Sequence, residues 1–280
     1  MKLCKANRDG SFSTQATRKS ILNRIANQLH ELGYKHMQAK SLKPKHVDAL
    51  VSLWKDQDLS VGTLKNLLSG LRWWARHVGK AEMIPKDNSA FDISKRSQVA
   101  KESKAWKLKE AQLEKISDPY VRLSVRLQAA FGLRREEAIK FSPNHAIKDD
   151  HIKLKASWTK GGRARTVPIR TDEQRRLLDD VRKLAKGGAL IPPNKNFIKQ
   201  RNHYDRQVRN AGIKNPHGLR HGYAQRRYEE LTGWKAPVAG GPASKSLSSD
   251  QRALDKGARE TISRELGHSR EEISARYLGR

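Results

Sequence analysis

The sequence predicts a mainly α-helical chain of two domains, the second carrying one small β-hairpin. Three observations lead there. Apolar residues recur at three- and four-residue spacing through most of the 280 residues, the mark of helices that bury one face. That period gives way to alternation at 151–156 and 164–169. Between the helical regions, residues 86–105 are rich in Lys, Asp, Asn, Ser and Gln and show no period, so they read as a linker. The expected division is a helical domain over 1–85, a linker over 86–105 and a larger domain over 106–280.

In the first domain, Ile21, Leu22, Ile25, Leu29 and Leu32 mark a helix from Thr17 to a stop at Gly33. Val47, Leu50, Val51 and Trp54 share one face of a second helix. A third follows Ser60, a suitable N-cap, with Leu64, Leu67, Leu68, Leu71 and Trp74 inward. Between these apolar positions stand Arg18, Lys19, Arg24, Lys65, Arg72, Arg76 and His77, a basic outer surface.

In the second domain, helical spacing runs from Lys109 to Phe131 and ends in Gly132-Leu133-Arg134-Arg135-Glu136-Glu137-Ala138. Ile152 and Leu154 alternate with polar residues, as do residues of 164–169, and Lys160-Gly161-Gly162 makes the turn between them. Helices are expected over 171–186, 194–211, from Pro216-His217-Gly218-Leu219-Arg220-His221 onward, and over 249–266. The Pro-, Gly- and Ser-rich residues 232–248 form a loop. His217 to Arg220 thus lies at a helix N-terminus, where free N–H groups and the helix dipole favour an anion.

Charge names the class of partner. Lys and Arg number 58 against 29 Asp and Glu, a net +29 spread along the chain. Such a surplus suits a polyanion, nucleic acid before a ribosomal or merely solvated surface. The single cysteine, Cys4, excludes an internal disulfide framework and a Cys-rich zinc site. No run approaches about 18 apolar residues, and the first ten residues lack a signal-peptide core. The expectation is a soluble, cytoplasmic, DNA-associated protein.

Near the end stands Leu266-Gly267-His268, with Tyr277 nine positions later. A protonated tyrosine is a poor nucleophile, its unperturbed pKa being about 10, and cations around a phosphate would supply the missing help. His217-x-x-Arg220, Leu-Gly-His268 and the late Tyr277, in this order, resemble the tyrosine recombinases, the lambda-integrase family of DNA strand-exchange enzymes. The Gly-Leu-Arg segment is similar to the family's first arginine motif, with Arg134 in the arginine slot and Glu137 in the acidic slot. An ordinary helix junction would look the same in isolation. The family's hairpin lysine falls on Lys160, with Lys155, Arg163 and Arg165 as competitors. His221 is read as a neighbour of the site.

The resemblance implies a two-domain, C-shaped DNA clamp: a SAM-like helical core-binding domain followed by a catalytic domain. Its expected residues are Arg134, Lys160, His217, Arg220, His268 and the nucleophile Tyr277. It implies cleavage and rejoining of DNA through a 3′-phosphotyrosyl link, for integration or excision of a mobile element, without cofactor or metal. Two arginine forks would meet phosphate charge, Lys160 would protonate the leaving 5′-oxygen, His217 would handle a proton near the nucleophile and His268 would bond the phosphate. The implied partners are double-stranded recombination sites, a homotetramer on paired sites, and accessory DNA-bending or directionality proteins, with no membrane. Two departures stand out. The Arg220–His268 interval is long for the family, so 232–248 reads as an insertion; and three residues follow Tyr277 where many relatives carry a docking tail, a subunit contact the insertion is expected to supply in part. The competing expectations are a type IB topoisomerase-like relaxing activity and a DNA-binding protein without catalysis.

Overall fold

Helical spacing in the sequence becomes helical packing in a computed structural model that describes residues 2–95, 97–159 and 161–280. It separates into two units, Met1–Ser97 and Gln98–Arg280. In the first, α1 (Lys2–Ala6) precedes α2 (Phe12–Glu31), α3 (Pro44–Asp56) and α4 (Val61–His77). Helix α2 begins ahead of its apolar stripe because Ser11 caps it, its hydroxyl accepting the Thr14 N–H at 3.2 Å. Ser60 does the same for α4 through Thr63.

The three long helices enclose Ile25, Leu29, Leu50, Trp54, Leu68 and Leu71. Burying each leucine or isoleucine contributes about 1.5–3 kcal/mol. The Trp54 indole N–H, sealed in this core, donates to Gln28 at 2.8 Å, so its burial strands no donor.

Residues 86–105, a linker by composition, divide between the units. Ile93 is buried in the first core with Phe91 packed against it, while Arg72 donates to the Pro85 carbonyl and to Asn88. Further on, the Ala100 N–H donates to the Ala275 carbonyl and the Trp106 N–H to that of Gly218, both inside the second unit. Two apolar side chains and a few backbone bonds anchor the stretch. Polar composition does not reveal such anchors.

The second unit opens with α5 (Glu110–Glu114) and α6 (Pro119–Phe131). The single helix expected from Lys109 is interrupted because Pro119 has no N–H for a continuing ladder but suits a first helical position. Asp118 caps the restart, accepting the N–H groups of Tyr120 and Val121. Next come α7 (Arg135–Ile139), α8 (Pro143–Ala146) and an antiparallel pair, β1 (His151–Leu154) with β2 (Arg165–Pro168). The register sets Ile152 against Val167 and Leu154 against Arg165. Ile152, Leu154 and Val167 are fully buried. The strands are joined by residues 155–164, which include a short 3-10 turn at Ala156–Trp158, a wider connection than a two-residue hairpin turn.

Then follow α9 (Asp172–Ala185), α10 (Phe197–Asn210), α11 (Gly218–Thr232), α12 (Ser249–Glu265) and α13 (Ala275–Leu278). The main core gathers Phe131, Leu133, Phe141, Tyr223, Ile262 and Leu278 around α6 and α11. The 232–248 segment makes 3-10 turns at Pro237–Ala239 and Ser244–Ser246 and buries Ala236 and Leu247 in its own chain. Among the described residues, no helix is long and apolar enough to cross a membrane.

Candidate active site

Four backbone elements bring the site together. The turn after α6 supplies Arg134, α11 supplies His217 and Arg220, the turn after α12 supplies His268, and α13 supplies Tyr277. Arg220 stands at the centre and is fully buried. Its Nη1 donates to the Gly132 carbonyl at 2.5 Å and its Nη2 to the Leu266 carbonyl. Nη2 also faces His268 Nε2 at 3.4 Å, and Nε donates to the Tyr277 hydroxyl at 3.3 Å. One planar fork thereby ties the Arg134 turn, the His268 turn and the tyrosine to one another.

His268 Nε2 is 3.2 Å from the Tyr277 oxygen. Burial first, then the positive charges of Arg220, Arg134, Arg165 and Arg276, push the His268 pKa down to about 3. The ring is therefore neutral at physiological pH. With Arg220 donating toward Nε2, that nitrogen is a lone-pair acceptor placed to receive the phenolic proton. Burial lowers Arg220 to about 10, with the neighbouring tyrosine opposing the shift, so the guanidinium stays charged.

His217 stands at the position just before α11, makes no side-chain capping bond, and is exposed. Its ring centroid lies 6.4 Å from that of Tyr277. The ring packed closest on the tyrosine belongs to His221, one turn further along α11, at 4.6 Å. His221 is buried with Nδ1 unpartnered, and burial, then His217, Lys104 and Arg220, push it down to about 4.

Arg134 donates through Nη1 to Glu137 at 2.8 Å, and its backbone N–H donates to the other carboxylate oxygen at 2.7 Å. A fifth of its side chain remains open, 21 %, whereas Glu137 has no exposure, so Arg134 can reach an incoming anion without leaving its carboxylate. Burial would raise Glu137, but hydrogen bonds and charge from Arg165, with Arg220 and Arg134 behind, hold it at about 2.

Lys160 lies outside the described residues. Of its competitors, Lys155 and Arg163 are exposed, while Arg165 is buried and engaged with Glu137. Arg165 is a member of the site's framework that motif spacing missed. The signal was present in the alternation, since Arg165 falls on the same strand face as the apolar Val167. In the first unit, the basic surface is partly committed internally. Arg18 pairs with Asp9 and lies over Trp73, and Arg72 is held by Pro85 and Asn88. Lys19, Arg24 and Arg76 are exposed. Among the described residues, no group of three His, Cys, Asp or Glu side chains converges to hold a metal ion.

Two family models match the chain. That for the N-terminal region of phage integrase matches residues 1–84, and that for integrase matches residues 93–226. Solved structures agree in fold. A lambda integrase dimer bound to a COC′ core site is 15 % identical over 98 % of this chain and 73 % of its own, with a TM-score of 0.62. XerH site-specific recombinase on a palindromic difH substrate is 18 % identical over 100 % and 80 %, TM-score 0.57. The Tn1549 transposon integrase with circular-intermediate DNA is 15 % identical over 100 % and 93 %, TM-score 0.56. No curated protein sequence matches the chain. The mostly helical architecture with one two-stranded sheet is that of these enzymes, and the chain belongs to the integrase family of tyrosine recombinases, which cut and rejoin DNA.

Proposed function

We propose that Tyr277 attacks a phosphodiester of a double-stranded recombination site, forming a 3′-phosphotyrosyl bond while the bond to the 5′-oxygen breaks. The observation that carries this reading is the Tyr277 hydroxyl held between His268 Nε2 at 3.2 Å and Arg220 Nε at 3.3 Å within one chain. A neutral imidazole accepts the phenolic proton, and a buried guanidinium stabilises the oxygen as charge builds on it. This arrangement favours His268 over His217 as the proton acceptor. His217, exposed beside the tyrosine, is then the ring available to a phosphate oxygen. Arg134 offers its open donors to the non-bridging oxygens, and Lys160, by its place in the sequence, protonates the departing 5′-oxygen. The free 5′-hydroxyl of a second strand then reverses the step and releases Tyr277.

The exposed Lys19, Arg24 and Arg76 of the first unit supply phosphate contacts on the same duplex. A lambda integrase is described as a dimer on a core site and as a tetramer on a Holliday junction. We assign this chain the same kind of assembly on paired sites, with integration or excision of a mobile element as its task, in the cytoplasm.

The test is covalent trapping on nicked suicide duplexes drawn from the gene's own neighbourhood, in excess chelator. Wild type should give a DNA-linked band on a denaturing gel and Tyr277→Phe none. A band that persists in the variant moves the nucleophile elsewhere. A band lost on chelation replaces side-chain cations with a metal. Relaxation of supercoils by a monomer, without exchange between two sites, favours a topoisomerase.

A further inference from the structure

We infer that Arg165 is a positioning residue: from strand β2 it locks the Arg134 turn to the His268 turn, and so holds the two halves of the phosphate site in register. The inference rests on the site proposed above and assigns its framework rather than its chemistry.

Arg165 Nη1 and Nη2 donate to the two oxygens of Glu137 at 2.8 and 2.7 Å, a bidentate pair. Such a pair fixes the plane of the carboxylate as well as its place. The same two oxygens carry Arg134, one through its guanidinium and one through its backbone N–H. The orientation of Arg134 is therefore set by a carboxylate whose own orientation is set by Arg165. At its other edge, Arg165 Nε donates to the Glu265 carbonyl at 2.8 Å. The adjacent Leu266 carbonyl accepts from Arg220, and His268 follows two residues on.

The backbone is shaped to admit this side chain. Gly267 has φ +68°, and a Cβ there would lie 2.8 Å from Arg165 Cδ and 3.2 Å from Nη1. The glycine of Leu-Gly-His thus serves both the left-handed turn and the passage of the arginine beneath it. Arg165 itself is not placed to bind DNA, because only 5 % of its side chain is exposed and its fork and Nε face protein acceptors.

Acting through Glu137 gives Arg165 a signature that plain loss of packing lacks. Glu137 is faced by Arg134 from the start of α7, Arg165 from β2 and Arg220 from α11, with His217 close enough to feel its charge. Removing Arg165 leaves a fully buried carboxylate with two cations rather than three. Burial then raises its pKa toward the working range, and Glu137 releases Arg134 when it protonates.

The experiment measures single-turnover cleavage of a suicide duplex and DNA affinity for wild type, Arg165→Lys, Arg165→Met and Glu137→Gln/Arg165→Met, across about pH 5 to 8. DNA affinity should stay within about twofold, since no phosphate contact is removed. Cleavage by Arg165→Met should fall about a hundredfold, the scale of a misplacement near 1 Å, and fall further toward acid. Arg165→Lys, which keeps the charge without the fork, should recover part of the rate. The double variant has no carboxylate to titrate, so it should lose the acid limb and stay slow; it also covers the case in which Arg165→Met fails to fold. Wild-type rate and wild-type pH profile in Arg165→Lys and in the double variant would overturn the inference. Thermal unfolding of the same set, with Glu137→Gln added, gives a double-mutant cycle independent of cleavage. Should wild type form no adduct, the functional reading falls and the cycle alone decides, additive losses counting against Arg165.

Discussion

Replacing Arg220 by lysine keeps the charge and removes the fork, which isolates what the fork does. The guanidinium reaches the Gly132 carbonyl at 2.5 Å, the Leu266 carbonyl, the Tyr277 hydroxyl at 3.3 Å and His268 Nε2 at 3.4 Å. A single ammonium on a flexible stem cannot serve acceptors on three elements, so at least two buried acceptors lose their donor. Each stranded acceptor costs about 1–3 kcal/mol, for a sum of about 2–6 kcal/mol. In a unit of this size each kcal/mol lowers Tm by about 2–4 °C, so the drop is roughly 4–24 °C. The reaction should suffer more than this instability explains. Losing a preorganised donor at a developing oxyanion costs about 100- to 1000-fold in rate, and Nε is the donor on the tyrosine oxygen. The assay pairs thermal unfolding with single-turnover adduct formation well below the variant's Tm, with DNA binding measured alongside. Arg220→Lys cleaving within about tenfold of wild type, with Tm unmoved, would refute both the shared-fork geometry and the role given to Nε.

Three further outcomes follow from the same framework. Gly132→Ala should destabilise by about 2–4 kcal/mol from overpacking and a left-handed φ, since φ is +62° and the new methyl would sit 2.6 Å from the Tyr223 ring; a denaturant midpoint equal to wild type's would contradict the packing described. Histidines 268 and 221 are held at about 3 and about 4 against an ordinary 6.5. Their neutral folded forms favour the native state fully above about pH 6.5, and stability is lost progressively as pH falls from there toward 4 and 3, because the unfolded chain takes up protons the folded one refuses. His268→Asn should flatten that slope in denaturation from pH 7.5 to 5, and an unchanged slope would dismiss His268 as its source. Arg259→Met should cost about 3–5 kcal/mol by leaving buried Asp255 without its cation, the Tyr228 hydroxyl alone still donating to it. Because Arg259 also donates to the Gly279 carbonyl and to Ser244, the variant should expose the Tyr277 segment to hydrogen exchange before the rest of the unit; uniform exchange would speak against a local clasp.

The 232–248 segment was expected to serve a subunit contact. Its residues also meet their own chain. Trp234 donates to the Tyr228 hydroxyl, Tyr228 to Asp255, and Ser244 accepts from Arg259. Pairings at such separations leave no local trace, because Pro, Gly and Ser announce a turn but not what the turn packs against.

The amino-acid sequence alone determined most of the long helices, the strand pair and the order of the motifs, since each depends on neighbours a few residues away: a stripe at helical spacing, alternation at 151–156 and 164–169, Ser60 as a cap, Leu-Gly-His before a tyrosine. It also set the class of partner through a net +29 charge. Tertiary structure alone decided how those pieces act on one another. Pro119 broke a helix that periodicity had run together, and Phe91 and Ile93 drew a stretch of polar composition onto the first core. Arg165, read beforehand as a rival for a lysine's place, became a buried partner of Glu137. His268, rather than His217, met the tyrosine hydroxyl. Each of these outcomes joins residues tens of positions apart, where burial and hydrogen-bond satisfaction over the whole unit, rather than local propensity, select the arrangement.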